Sequence, residues 1–253
     1  DVYKRQSHVW PAIMVFDGLT GKLRHAVNLP PGKVQEGPIL VGRRLVYVAR
    51  DAPRRFRLTG ADVDGERPPW TRVLPGQSES TALLAENEHV VVLQRDGYLS
   101  TVSAANGEPV ESTRIRVGED GGRAVPYPFT RARLANEQLF LMPRTNRPPQ
   151  YLGAWSTRTG KLLWERAWSE EDGPSRAQVD VTEDYVVALT AWTRRRASAR
   201  VLLRVLNREN GGVDQEIEPL GLGAEQGFLT MVEGWGTVVV FGNSGATMYT
   251  SAK

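Results

Sequence analysis

Short runs of β-branched and other apolar residues recur along the chain, separated by clusters of Gly, Pro, Asn and Asp, and no stretch carries the period of a long helix. Leu83 to Arg116 is the clearest stretch. Leu83-Leu84-Ala85 is followed by a polar turn, Glu86-Asn87-Glu88, and then by the β-branched run His89 to Gln94. Arg95-Asp96-Gly97 carries the Asp-Gly hairpin signal, Tyr98 to Ser103 alternates as a strand does, and Ala105-Asn106-Gly107 turns the chain into a last strand from Pro109 to Arg116. Four antiparallel strands joined by tight turns are expected.

The same order returns three more times. Ile39 to Leu74 places a second strand at Val46-Tyr47-Val48, a third at Phe56 to Ala61 and a fourth at Trp70 to Leu74. Thr130 to Trp168 places the second at Gln138 to Leu141 and the third at Tyr151 to Ser156; Val179 to Ile217 places them at Tyr185 to Thr190 and Val201 to Leu206. Ala12 to Leu29 holds only the two outer strands of such a unit, and Phe228 to Thr250 its two inner strands and most of a third. Gly234-Trp235-Gly236 is read as the turn between those inner strands. The glycine between third and fourth strands recurs at Gly21, Gly65, Gly107, Gly160 and Gly211, in steps of 44, 42, 53 and 51 residues. Four strands at that period predict the blades of a β-propeller. The expected fold is therefore all-β: four complete four-stranded antiparallel blades and a partial blade at each end, an open arc of a seven- or eight-bladed ring.

Composition narrows the chemistry. The chain has 253 residues with no cysteine, which removes disulfides, thiolate zinc sites and a Cys nucleophile from this stretch. Basic and acidic residues number 32 and 29, so the formal charge of +3 is a small excess and no basic stripe points to nucleic acid. No apolar run approaches the roughly 18 residues of a spanning helix.

Trp155-Ser156-Thr157-Arg158-Thr159-Gly160-Lys161-Leu162-Leu163-Trp164 resembles the repeat motif of the PQQ-like propellers, the family of quinoproteins and BamB-type proteins, in which it joins third and fourth strands. Phe16-Asp17-Gly18-Leu19-Thr20-Gly21-Lys22-Leu23 matches it too, with His25 where the tryptophan would stand. Val102 to Gly107 and Leu206 to Gly211 keep the turn but place Glu111 and Gln215 at that position, and Val63-Asp64-Gly65 followed by Trp70 is an expanded copy. Asp17, Gly21, Gly107, Gly160, Trp164 and Gly211 are accordingly expected to do structural work, Asp or Asn holding turn amides and Trp packing one blade on the next. Asp1 to Gln6 resembles the translation of a transposon-end adapter used in sequencing libraries. Those six residues are read as a non-native scar, leaving 7–253 as one incomplete propeller domain.

Some members of the resembled family are dehydrogenases that hold pyrroloquinoline quinone and calcium, with a vicinal Cys pair and a catalytic Asp. Here the Cys pair is impossible and no Asp stands in a matching context, so no catalytic, cofactor-binding or metal residues are expected. His8, His25 and His89 fall in separate repeats without metal-ligand spacing, and Gly118 to Gly122 is read as a loop between blades. One distributed feature suggests a partner. The loops between second and third strands carry Arg50, Arg54 and Arg55, then Arg144 and Arg147, then Arg194, Arg195 and Arg196, which would share one rim and face an anionic partner. Glu119, Asp120, Glu170, Glu171 and Asp172 lie in loops on the same face and would offset that charge locally.

The resulting expectation is a non-catalytic binding or scaffold propeller without cofactor, taking a protein or peptide partner in a bacterial cell envelope or periplasm. The alternative is part of a PQQ-dependent dehydrogenase, or a sensor domain of a larger multidomain protein.

Overall fold

The computed structural model describes residues 12–28, 33–115, 129–143, 150–168, 176–192, 200–218, 230–234, 237–242 and 245–250. These form 21 strands and, among the described residues, no helix. Among the described residues no helix is long and apolar enough to cross a membrane. The chain divides into two compact units, Asp1–Arg114 and Ile115–Lys253.

In the first unit, β1 (Ala12–Phe16) and β2 (Leu23–Asn28) make a two-stranded antiparallel sheet. Next comes a four-stranded sheet of β3 (Lys33–Val41), β4 (Arg44–Ala52), β5 (Arg55–Asp62) and β6 (Trp70–Val73), in chain order. A second follows, built from β7 (Ser80–Glu86), β8 (His89–Gln94), β9 (Tyr98–Ser103) and β10 (Pro109–Arg114). The second unit repeats the plan. One sheet contains β11 (Phe129–Ala135), β12 (Gln138–Pro143), β13 (Gln150–Ser156) and β14 (Leu162–Trp168). Another contains β15 (Arg176–Val181), β16 (Tyr185–Trp192), β17 (Arg200–Asn207) and β18 (Val213–Ile217). A three-stranded sheet of β19 (Thr230–Gly234), β20 (Thr237–Gly242) and β21 (Gly245–Thr250) closes the series. Every pairing is antiparallel between consecutive strands, which makes each sheet a meander.

Within each unit the first strands stand side by side, β3 beside β7, and β11 beside β15, which in turn lies beside β19. Sheets that meet along their first strands and stack face to face are propeller blades. Stacking buries both faces of the inner strands, which explains why their sequences run apolar without alternating. In His89-Val90-Val91-Val92-Leu93-Gln94 everything after His89 is buried. Val90 and Val92 pack with Val46, Val48, Phe56 and Leu58 of the preceding blade. The corresponding core of the second unit joins Phe140, Leu152 and Ala154 to Val179, Val186, Ala188 and Leu206. Fourth strands at the outer edge alternate instead: β6 and β10 bury every second residue only partly.

The expected blades are all present, but first strands begin earlier than expected, β7 at Ser80 and not Leu83, β15 at Arg176 and not Val179, and β3 by the most. β3 begins at Lys33, ahead of the expected Ile39, because the strand continues through two irregularities in register around Glu36. The bulged, polar segment Lys33-Val34-Gln35-Glu36 hides the alternation by which a strand is recognised. The proposed scar at 1–6, the loop Gly118 to Gly122 and the turn residues Trp235 and Gly236 lie outside the described residues.

Candidate functional site

Four corners between third and fourth strands are built alike. Gly21, Gly107, Gly160 and Gly211 have φ of 66°, 72°, 66° and 67°, a left-handed conformation in which a side chain costs about 1–2 kcal/mol. Each glycine N–H donates to the carbonyl of the residue four before it, Asp17, Ser103, Ser156 or Asn207, at 2.8–2.9 Å. The N–H of that earlier residue donates across the corner to the carbonyl of Lys22, Glu108, Lys161 or Gly212. Side-chain oxygens bond the remaining amides. Asp17 Oδ1 accepts from Leu19 N–H and Thr20 N–H, Ser156 Oγ from Thr159 N–H, and Asn207 Oδ1 from Glu209 N–H and Asn210 N–H. The Thr20 N–H beside it holds the Asp17 carboxyl below the usual carboxylate range, and the Thr20 hydroxyl adds to the effect. Asp17 and the corner glycines thus take part in the hydrogen bonds that close these turns.

The corners of three blades are also tied inward. Ala104, Thr157 and Arg208 each donate their N–H to a carbonyl in the turn between first and second strands of their own sheet, that of Glu88, Glu137 or Asp184. The carbonyls of Ala104 and Arg208 receive a bond from the preceding blade. Trp70 Nε1 donates to Ala104 O at 2.9 Å, and Trp164 Nε1 donates to Arg208 O at 2.7 Å. Two residues beyond each tryptophan an arginine repeats the reach: Arg72 Nε donates to Gly107 O and Arg166 Nε to Gly211 O, both at 2.6 Å. Each indole also lies across the corner glycine, its nearest atom 2.5 Å from where a Cβ of Gly107 or Gly211 would stand. Trp70 covers Gly60 of the neighbouring strand with its other edge. In the two-stranded sheet His25 takes the tryptophan's place, with its ring 2.9 Å from the Cβ position of Gly65.

This joint is the site that the described residues build most completely. The packing role of Trp164 and Trp70 was expected from the motif; the parts played by Arg72 and Arg166 were not. Their signal is in the sequence as Trp-x-Arg, at Trp70-Thr71-Arg72 and Trp164-Glu165-Arg166. Gln94 was missed as well. This buried side chain accepts from Gly76 N–H at 2.8 Å and donates to Ser78 O at 2.9 Å, holding the loop between β6 and β7.

The arginine rim is placed only in its first part. Arg50, Arg54 and Arg55 are exposed around the β4–β5 hairpin, Arg54 with φ of 61°, and Arg55 Nε lies 3.4 Å from Asp51 Oδ2. Arg144, Arg147, Arg194, Arg195 and Arg196 lie outside the described residues. His89 is exposed at the start of β8, and His8 lies outside the described residues. Among the described residues no three His, Cys, Asp or Glu stand together as a metal site.

Compared with protein-family models and with curated proteins, the chain matches none. Solved structures do match. The β-propeller domain of Myceliophteria thermophila Cps50 (Swd1) is 15% identical with a TM-score of 0.57, over 96% of this chain and 78% of that one. The fold is a β-propeller. Kluyveromyces lactis Hsv2 is 11% identical with a TM-score of 0.52, over 82% of this chain and 68% of its own. BamB from Moraxella catarrhalis is 14% identical with a TM-score of 0.45, over 94% of this chain and 78% of its own.

Proposed function

We propose that this propeller is a non-catalytic scaffold of PQQ-like repeat type that presents its loops to a protein or peptide partner. The observation that carries this reading is where the repeat motif's polar atoms go. Asp17, Ser156 and Asn207 bond turn amides, and Trp70, Trp164, Arg72 and Arg166 bond main-chain carbonyls of the next blade. A motif engaged in this way builds a rigid support, and binding then falls to the loops that the support holds out.

Arg50, Arg54 and Arg55, together with Arg144, Arg147, Arg194, Arg195 and Arg196, are the proposed contacts for an anionic part of that partner. A place in the bacterial cell envelope or periplasm belongs to the same proposal. Affinity capture on the immobilised protein, compared with a triple charge reversal of Arg194, Arg195 and Arg196 to Glu, tests it. Envelope proteins or peptides retained by the wild type and lost by the variant are expected. Dye reduction that depends on added pyrroloquinoline quinone and calcium would contradict the scaffold and favour the dehydrogenase alternative.

A further inference from the structure

The β4–β5 hairpin is longer than the β8–β9 hairpin of the next blade. β4 has nine residues and β8 six, each starting just after the turn from its first strand. The last three residues of β4, Arg50-Asp51-Ala52, therefore lengthen the hairpin by about 10 Å. This extension is strongly basic: Arg50, Arg54, Arg55 and, where β5 re-enters the blade, Arg57, against the single acid Asp51. Ala52 pairs with Arg55, so Pro53 and Arg54 alone make the turn. Arg54 has φ of 61°, and proline followed by a left-handed residue is the pattern of a type II turn, whose second corner suits glycine or asparagine. In the β8–β9 turn Gly97 takes that conformation, and between first and second strands Gly42 and Asn87 take it. Glu137 is the other charged residue so placed among the described residues, and there the carbonyl is held by the Thr157 N–H and hydroxyl. Arg54 has no hydrogen bond or ion pair of its own among the described residues.

We infer that the β4–β5 hairpin is a docking finger for an extended acidic peptide segment, with Arg54 standing at the turn for contact with it. A left-handed arginine where glycine fits better marks a side chain retained for its charge, and backbone strain of this kind gathers at binding sites. The neighbouring charges divide into two sets. Asp51 Oδ2 lies 2.6 Å from Arg57 Nε and 3.4 Å from Arg55 Nε, so those two guanidiniums already share a carboxylate. Arg50 and Arg54 are exposed and, among the described residues, have no acidic partner. They leave the chain on either side of the turn about two residue rises apart, roughly 7 Å. Carboxylates on alternate residues of an extended peptide recur at that interval and on one side, whereas a phosphate group offers a single compact centre. The inference rests on the scaffold reading, in which the arginine loops meet an anionic partner; it adds the partner's chemistry and the residue that selects it.

Rhodamine-labelled hexaglutamate is the probe, its binding to the whole chain followed by fluorescence polarisation at low salt. Arg54→Gly and Arg50→Gln each remove one of the two unpaired charges. Arg67→Gln makes the same change of charge at an exposed residue of the loop between β5 and β6, at the opposite end of β5 from the hairpin. The triple reversal of Arg194, Arg195 and Arg196 to Glu is run beside them. A hexaserine peptide with one central phosphoserine serves as the comparison ligand, and thermal unfolding is recorded for every variant.

Arg54→Gly and Arg50→Gln should each raise the Kd for hexaglutamate about five-fold, the scale of one partly exposed charge-assisted contact, with Arg67→Gln within about two-fold of the wild type. Arg54→Gly should also raise the thermal midpoint by about 2 °C, because glycine takes the left-handed conformation without strain. A firmer fold with weaker binding is the signature of a residue kept for contact. Failure of the wild type to bind hexaglutamate, an equal loss in Arg67→Gln, or a midpoint that does not rise in Arg54→Gly would overturn the inference. Tighter binding of the phosphoserine peptide than of hexaglutamate would overturn it too, by making phosphate the recognised group. Binding that survives Arg54→Gly but is lost on the triple reversal would overturn it and leave the scaffold reading standing. Dye reduction dependent on added quinone would count against the scaffold reading alone.

Discussion

Trp164 contributes to the joint in two separable ways, by the area of its ring and by its indole N–H. Trp164→Phe keeps most of the area and leaves Arg208 O without its donor, so a loss of about 1–2 kcal/mol is expected in urea unfolding. Trp164→Ala removes both and should cost about 3–5 kcal/mol. Glycine substitutions separate backbone strain from ring contact. Gly21→Ala meets only the cost of a left-handed alanine, whereas Gly107→Ala adds a methyl group where the Trp70 ring lies. The second should be clearly the more destabilising of the two; equal losses would mean that the ring contact contributes nothing. Glu36 makes a case for pH. Burial raises its pKa, so the folded state holds the proton more tightly than the unfolded chain does. Its effect is therefore absent at pH values below both pKa values, and stability falls as pH rises from the unfolded value through the folded one. Glu36→Gln should be more stable than the wild type at pH 7, with the gain vanishing in acid, as thermal unfolding across a pH series would show.

Among elements, the loop between β6 and β7 owes its shape to a side chain from a strand it does not belong to. Gln94→Leu leaves Gly76 N–H and Ser78 O unbonded in a buried place, and a loss of about 1–3 kcal/mol is expected, with faster amide exchange at Gly76. This is also where sequence and structure part. Second, third and fourth strands were legible because turn chemistry brackets them: Asp96-Gly97 before β9, and glycine corners after β5, β9, β13 and β17. First strands were less so, since β3 enters through bulges that break its alternation. The roles of Arg72, Arg166 and Gln94 were not read at all. Each acts on main chain in another sheet or loop, and a spacing within one repeat says nothing about which atoms of the next repeat it meets.

At the level of the whole molecule, the sheets differ in how much of each is covered. The inner strands β4 and β8 are buried along most of their length, whereas β1 is covered on one face and, among the described residues, paired along one edge. Hydrogen exchange should follow that gradient, with amides of β4 and β8 slowest and those of β1 among the fastest strand amides. Uniform protection across these strands would be evidence against the stacking described above.

The Trp-x-Arg joint grips carbonyl oxygens, and the one thing it asks of the adjoining repeat at the point of contact is that a side chain be missing there. A connector that reads the polypeptide and not its lettering lets neighbouring repeats drift far in composition, or trade places in order, while the seam between them still closes. Mutational drift in such a chain should then be fastest in the loops and slowest at a few sparse positions, the glycine and the two residues that reach it.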